Sequence, residues 1–164
     1  MNKIEKLLVG SKAIFKSRRL IKNLYSSLYQ YLIKKRNITL KLRNGENLVV
    51  PRYTYSEIVY YYYHGYIIDI NKNEIKFKIN NKTYSIPINN FYSRSIYNFI
   101  KTIKAGWEYK GNYWEKDRIK FKHYYATIYD VFVDEQYAYL NVKDKSVLDI
   151  GAFVGDSAIY FILK

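Results

Sequence analysis

Residues 146–161 hold the pattern that most restricts what this chain can fold into. A short apolar run, residues 146–150, carries the acid Asp149 near its end, and Gly151 follows at once. Gly155 is the second glycine of the pattern, and the residues after it have the composition of a helix. Such a run predicts a buried parallel strand. Glycines after it let the backbone turn tightly. The helix that follows presents its first N–H groups to a ligand. The segment therefore predicts a strand, a nucleotide-type loop and a helix capped by Asp156 or Ser157.

The loop has the spacing D-x-G-x-x-x-G, whereas dinucleotide folds typically show G-x-G-x-x-G. Residues 149–157 in this spacing resemble the first motif of the FkbM family of S-adenosylmethionine-dependent methyltransferases. Phe153 and Val154 stand where that family often has Asn-Ile. Upstream segments are similar in character to the lead-in and early hairpin of archaeal members, namely residues 40–45, 120–125, 134–137 and 139–145.

The resemblance implies a cofactor, S-adenosylmethionine, and a set of residues that bind it. Asp149 would contact the methionine amino group, residues 151–155 would surround the methionine and ribose, and Asp156 with Ser157 would lie near the carboxylate. The implied cofactor-binding set is Asp149, Gly151, Ala152, Phe153, Val154, Gly155, Asp156 and Ser157. It names no catalytic residue and no metal ligand. The alternative for Asp149 is a strand-end carboxylate that caps the N–H groups of its own loop, and the alternative for Gly151 and Gly155 is a plain turn.

The same resemblance implies that much of the site is missing. By analogy with other Rossmann sites, the acid that binds the ribose hydroxyls follows about 20 residues after the loop, which places it beyond Lys164. We therefore expect a truncated methyltransferase that is inactive alone unless a second chain supplies the remaining sheet. The complete enzyme would methylate a hydroxyl group of a sugar or another small acceptor.

The rest of the sequence predicts helices and short antiparallel strands. Leucines four residues apart in residues 17–35 predict one amphipathic helix, and residues 38–50 predict a hairpin with a type I′ turn at Asn44-Gly45. Thr54 and Glu57 form a capping-box pattern before a helix over residues 55–64 that ends at Gly65. Further strands are predicted at residues 67–70, 74–79, 83–88, 107–109, 113–114 and 119–121, and further helices at residues 93–104 and 124–133.

These elements predict an α+β chain in three parts. Residues 1–36 form a basic helical segment, and residues 37–122 form an accessory domain with a small antiparallel sheet. Residues 123–164 begin a Rossmann-like methyltransferase domain, of which only the first strand, loop and helix are present. The predicted fold class joins an N-terminal helix and small sheet to this incomplete domain.

The charge distribution leaves two other functions open. The net charge is +14, and residues 1–36 hold ten Lys or Arg against one acid, Glu5. Such a segment can bind nucleic acid or anionic lipid, or it can be the solvated face of a docked helix. The alternative functions are therefore a basic nucleic-acid-binding module and a non-catalytic assembly partner of a second chain.

Composition excludes several classes of site. The chain has no cysteine, so disulfides, thiolate nucleophiles and cysteine zinc sites are excluded. The N-terminus does not resemble a signal peptide and no apolar stretch is long enough for a membrane span, so we expect a cytoplasmic protein. His64 and His123 receive no catalytic role. Trp107 and Trp114 are interpreted as the core of a hairpin, with an acceptor platform as the alternative.

Overall fold

The structure is a computed structural model that describes residues 3–91, 94–122, 128–143, 145–148 and 155–163. Within these residues the chain is α+β, as predicted, with three small sheets whose strands all pair antiparallel. The chain divides into two compact units, Met1–Ile96 and Tyr97–Lys164. The predicted boundaries after residues 36 and 122 stay predictions, because compactness alone does not define a folding domain.

The predicted single helix over residues 17–35 is wrong. The N-terminal segment forms α1 (Lys3–Ser17) and α2 (Leu24–Leu32), separated by a turn. In that turn the backbone N–H of Lys22 donates to the carbonyl of Lys41 at 2.6 Å, and the Asn23 side chain bonds the backbone of Lys41 and Thr39. The turn pairs with the edge of a strand, and those backbone groups cannot also serve a helix.

The predicted hairpin is confirmed as β1 (Asn37–Lys41) and β2 (Asn47–Pro51). Its turn is not type I′, because that type needs positive φ at both central residues. Only Gly45 has positive φ here, +90°, and its N–H donates to the Leu42 carbonyl. The central residues are therefore Arg43 and Asn44, and Gly45 takes the left-handed position that follows them.

Helix α3 (Arg52–Tyr63) is confirmed as a helix, but its predicted capping box is wrong. The helix begins directly after Pro51, so Thr54 and Glu57 already lie inside it. Thr54 Oγ1 donates to the Phe91 carbonyl at 2.7 Å. Glu57 accepts from the backbone N–H of Ile96 at 2.8 Å and therefore caps another helix. Gly65 ends α3 with φ +77°, as predicted.

The three predicted strands that follow are confirmed as β3 (Ile67–Ile70), β4 (Glu74–Ile79) and β5 (Lys82–Pro87), with β4 in the middle. A 3₁₀ turn (Ile88–Phe91) then covers the sheet. Phe77 of β4 is fully buried and meets the Phe91 ring edge-to-face at 5.6 Å. This contact, together with the Thr54 bond to Phe91, holds α3 against the sheet of the first unit.

The second unit begins within α4 (Ile96–Lys104) and continues with β6 (Glu108–Tyr109), β7 (Trp114–Lys116) and β8 (Ile119–Phe121), as predicted. A π-helical segment (Tyr129–Val133) covers the end of the helix predicted over residues 124–133; residues 124–127 lie outside the described residues. The last element is α5 (Asp156–Leu163).

Trp107 and Trp114 form the core of this unit, which confirms the core interpretation of the hairpin. Trp107 is 2% exposed and packs on Phe121 and Phe132 with ring centroids 5.8 and 5.4 Å away. Trp114 meets Phe99 of α4 at 5.7 Å. Neither indole therefore offers a surface platform for an acceptor.

The strand predicted at residues 146–150 is not formed over residues 146–148, and residues 149 and 150 lie outside the described residues. A strand needs a neighbour for its N–H and C=O groups, and no parallel neighbour occurs among the described strands. None of the helices in the described ranges has the length and apolar character that crossing a membrane requires.

Candidate functional site

The N-terminus of α5 carries the part of the predicted cofactor site that the structure describes. Gly155 has φ +75°, a conformation that favours glycine, and its carbonyl accepts the N–H of Ile159 at 3.0 Å. Gly155 is therefore the N-cap of α5, and the expectation that Asp156 or Ser157 would cap it is wrong. Five other predicted site residues lie outside the described residues: Asp149, Gly151, Ala152, Phe153 and Val154.

Asp156 and Ser157 are held in the first turn of α5 and are buried, with exposures of 8% and 6%. A carboxylate at this position interacts favourably with the positive end of the helix dipole. Ser157 follows it at the same helix end. The structure thus keeps two of the predicted polar residues together beside the last glycine of the motif.

Two further acids, Asp130 and Asp134, belong to the same electrostatic environment. Burial raises the pKa of the Asp130 carboxyl, and the negative charges of Asp134 and Asp156 raise it further. A carboxyl whose pKa is raised by neighbouring carboxylates lies in a negative potential. Such a site favours a cationic group near the start of α5.

The raised pKa of Asp130 gives a testable pH dependence. A carboxyl that binds its proton more tightly when folded loses stability as pH rises from its unfolded pKa through its folded pKa. We expect Asp130→Asn to raise the melting temperature at about pH 7.5 and to leave it nearly unchanged at about pH 3.5. The gain should be below about 1 kcal/mol, because water screens this partly exposed group. Circular dichroism melts at both pH values measure it.

Asp69→Asn is the matched control for this experiment. Asp69 lies in the first unit and faces Lys76 with Oδ2 and Nζ 3.8 Å apart. A carboxylate beside a cation gains nothing when it is neutralised. An equal rise of the melting temperature in both variants, or a gain at the acidic pH, would contradict the role of the acidic cluster.

A cleft of about 360 Å³ opens beside α5. Its polar lining includes Glu135, Asn141, Lys143 and the Tyr160 side chain of α5. The Tyr160 ring packs on Phe132 and Tyr137 with centroids 6.0 and 5.9 Å apart, which fixes the helix against the aromatic core. The cleft and the start of α5 thus belong to one packed unit.

Apolar side chains around this site are left in solvent. Leu148 is 85% exposed, and Ile162 and Leu163 of α5 are 83% and 60% exposed. A surface helix of a globular domain normally turns its apolar face toward the core, whereas these side chains face solvent.

The described side chains of the basic segment, residues 10–36, form a different surface. An open cleft of about 630 Å³ lies at the end of α1, and the guanidinium of Arg18 stacks 4.0 Å from the centre of the exposed Phe15 ring. Four cations line it together with Ser11 and Phe15, namely Lys12, Lys16, Arg18 and Arg19. Lys16 also donates to the Tyr63 carbonyl at 2.8 Å, so one of these cations ties α1 to the end of α3.

Among the residues that the structure describes, the remaining candidates from the sequence form no further site. His64 is the C-cap of α3 and its ring packs on Tyr60 at 4.4 Å, and His123 lies outside the described residues. Within the described part of the chain, no group of three or more His, Asp or Glu could hold a metal ion.

The sequence missed Asp130 and Asp134 as members of the site. They precede Asp156 by more than twenty positions, and only their spacing of four on a helical segment suggested that they share a face. Their approach to α5 depends on tertiary packing, which no local pattern reports. No family model, curated protein or solved structure matches the chain.

Proposed function

We propose that residues 145–163 form the first part of the cofactor site of an S-adenosylmethionine-dependent methyltransferase of the FkbM type. The observation that carries this proposal is the last glycine of the D-x-G-x-x-x-G motif. Gly155 adopts a positive φ and caps a helix that begins at the next residue. A tight turn that leads straight into a helix N-terminus is the geometry that a ligand-binding loop of this kind requires. The enzyme transfers the methyl group to a hydroxyl of a sugar or another small molecule.

The charges around α5 support this cofactor in particular. S-adenosylmethionine carries two positive groups, a sulfonium and an ammonium, and one carboxylate. The acidic cluster of Asp130, Asp134 and Asp156 raises the free energy of an anion placed beside it. It lowers the free energy of a cation at the same place. A nucleotide phosphate would be repelled by the same cluster. The sulfonium and ammonium groups of S-adenosylmethionine therefore match this cluster, whereas its carboxylate does not.

The exposed apolar residues support the incomplete architecture that the proposal requires. Leu148, Ile162 and Leu163 have no apolar cover in the described unit, although a methyltransferase sheet buries such positions. Strands that pack there would also supply the ribose and adenine contacts. We propose that these strands belong to further sequence or to a second chain, and that methyl transfer requires them.

A ligand series tests the proposal without requiring activity. Saturation-transfer NMR on the purified chain compares S-adenosylmethionine, S-adenosylhomocysteine and 5′-methylthioadenosine, which lacks the amino-acid half. We expect the first two to bind and the third not to bind, because the motif holds the amino-acid half. Asp149→Ala should weaken binding about 10- to 100-fold, the loss of one charged hydrogen bond.

Asp69→Ala is the control, since it removes an exposed carboxylate from the first unit without touching the motif. It should bind as the unchanged chain does. Equal binding by 5′-methylthioadenosine would contradict the assignment of the amino-acid half to this loop. No saturation transfer from any of the three ligands would contradict the cofactor site itself.

A further inference from the structure

Helix α2 presents an apolar face to solvent on the side away from the core of its unit. Leu24 and Ser27 point inward and are buried. Tyr25, Tyr29 and Leu32 are 83%, 63% and 65% exposed, and Ile33 at the C-cap is 48% exposed. Their spacing of four, three and one residues puts all four within one side of the helix. We call these four residues the α2 apolar face.

Cations flank both ends of the α2 apolar face. Arg19 and Lys22 precede the helix, and Lys34, Lys35 and Arg36 follow it, all of them exposed. No acidic residue occurs between Glu5 and Glu46. The helix therefore combines an exposed apolar stripe with an uncompensated positive rim, which a helix docked on its own domain does not need.

The chemistry of this face distinguishes among three occupants. A second copy of the same face would bring ten cations together without a counter-charge, which opposes self-association. Nucleic acid would satisfy the cations and could stack on the tyrosines, but it would leave Leu32 and Ile33 without a partner because aliphatic side chains neither stack on bases nor bind phosphate. An anionic bilayer matches both features: cations bind headgroups, tyrosines lie at the interface and aliphatic side chains enter the acyl boundary.

We propose that the α2 apolar face docks the protein on an anionic lipid surface. Helix α2 lies flat in the interface, because nine residues are far too few to cross a bilayer. The site lies in the first unit, and the inference does not depend on the cofactor site proposed for the second unit. The inference concerns where the protein docks and proposes no second reaction.

Vesicle flotation of the full chain tests this inference. The probes are phosphatidylcholine vesicles with and without phosphatidylglycerol. We expect binding to the anionic vesicles and much weaker binding to the neutral ones. The double variant Leu32→Asn with Ile33→Asn should lower partitioning at least about tenfold, because it removes apolar burial from two positions. The variant Lys34→Gln with Lys35→Gln should lower it about fivefold for each charge removed.

Ile68→Asn is the matched control, since Ile68 is 46% exposed on β3 of the same unit and lies outside the α2 apolar face. It should float with the vesicles as the unchanged chain does, and circular dichroism should show the same fold in every variant. Loss of binding in the control equal to that in the Leu32 and Ile33 variant would overturn the inference. So would absence of the unchanged chain from the anionic vesicle fraction.

Two further outcomes would assign the face to another occupant and overturn the lipid assignment. Single-stranded RNA binding that the lysine variant abolishes and the Leu32 and Ile33 variant leaves unchanged would indicate nucleic acid. Sedimentation of the unchanged chain as a dimer, with the Leu32 and Ile33 variant as a monomer, would indicate a second copy.

Discussion

Alanine in place of Phe77 is expected to lower the free energy of unfolding of the first unit by about 3–5 kcal/mol. Phe77 is 0% exposed in the central strand of its sheet and meets Phe91 ring to edge. The substitution removes a buried ring and leaves a cavity that strands on both sides keep from collapsing. Because small domains are stable by only about 5–15 kcal/mol, much of the stability of this unit depends on one side chain.

Urea unfolding followed by far-ultraviolet circular dichroism measures this loss as a lower midpoint. Phe77→Leu keeps most of the volume and should cost about 1–2 kcal/mol. Val49→Ala is the surface control, because Val49 is 50% exposed on β2 and should change stability by less than about 0.5 kcal/mol. A loss for Phe77→Ala no greater than that for Val49→Ala would contradict the position of Phe77 at the centre of the core.

The hairpins and strands of this chain could be predicted because their signals are local. Residues 67–88 alternate in hydrophobicity, and Asn80 and Asn81 both adopt the positive φ of a type I′ turn between β4 and β5. Asp117 and Arg118 do the same between β7 and β8. Where period and turn chemistry agree within a few residues, the sequence is sufficient.

Long-range hydrogen bonds explain two of the predictions that were wrong, the single N-terminal helix and the capping box. The leucines of residues 17–35 keep a helical spacing, yet the backbone of Lys22 bonds β1 in the turn that separates α1 from α2. Thr54 and Glu57 match a capping box, yet each bonds a group more than 35 positions away. A local pattern cannot report a partner that only tertiary folding brings near. For the same reason, the sequence did not predict that Asp130 lies near Asp156.

The candidate site was predictable only in outline. The glycine at position 155 and the helix after it follow from residue types, and both are present. The strand before the loop failed over residues 146–148 because a parallel strand forms only beside a neighbour, and sequence hydrophobicity does not supply one. Leu148 of this segment is accordingly 85% exposed.

Alanine in place of Trp107 should have a comparably large effect on the second unit, about 3–5 kcal/mol. The indole is the largest fully buried side chain there and connects the sheet, through Phe132, to Tyr160 of α5. We therefore expect the loss of Trp107 to loosen the helix that carries Asp156 as well as the hairpin. Because the only other tryptophan, Trp114, lies in the same unit, its fluorescence during urea unfolding reports this unit alone.

Trp107→Phe separates packing from hydrogen bonding in the same experiment. Within the part of the chain that the structure describes, the indole Nε1 of Trp107 is buried without a hydrogen-bond partner. Phenylalanine keeps an aromatic ring against Phe121 and Phe132 and removes that buried donor, whose desolvation costs about 1–3 kcal/mol. The smaller ring lowers stability and the removal of the buried donor raises it. Trp107→Phe should therefore lower the free energy of unfolding by less than about 1.5 kcal/mol. A loss as large as that of Trp107→Ala would mean that Nε1 binds a partner, and the aromatic core would then be held by a polar contact as well as by packing.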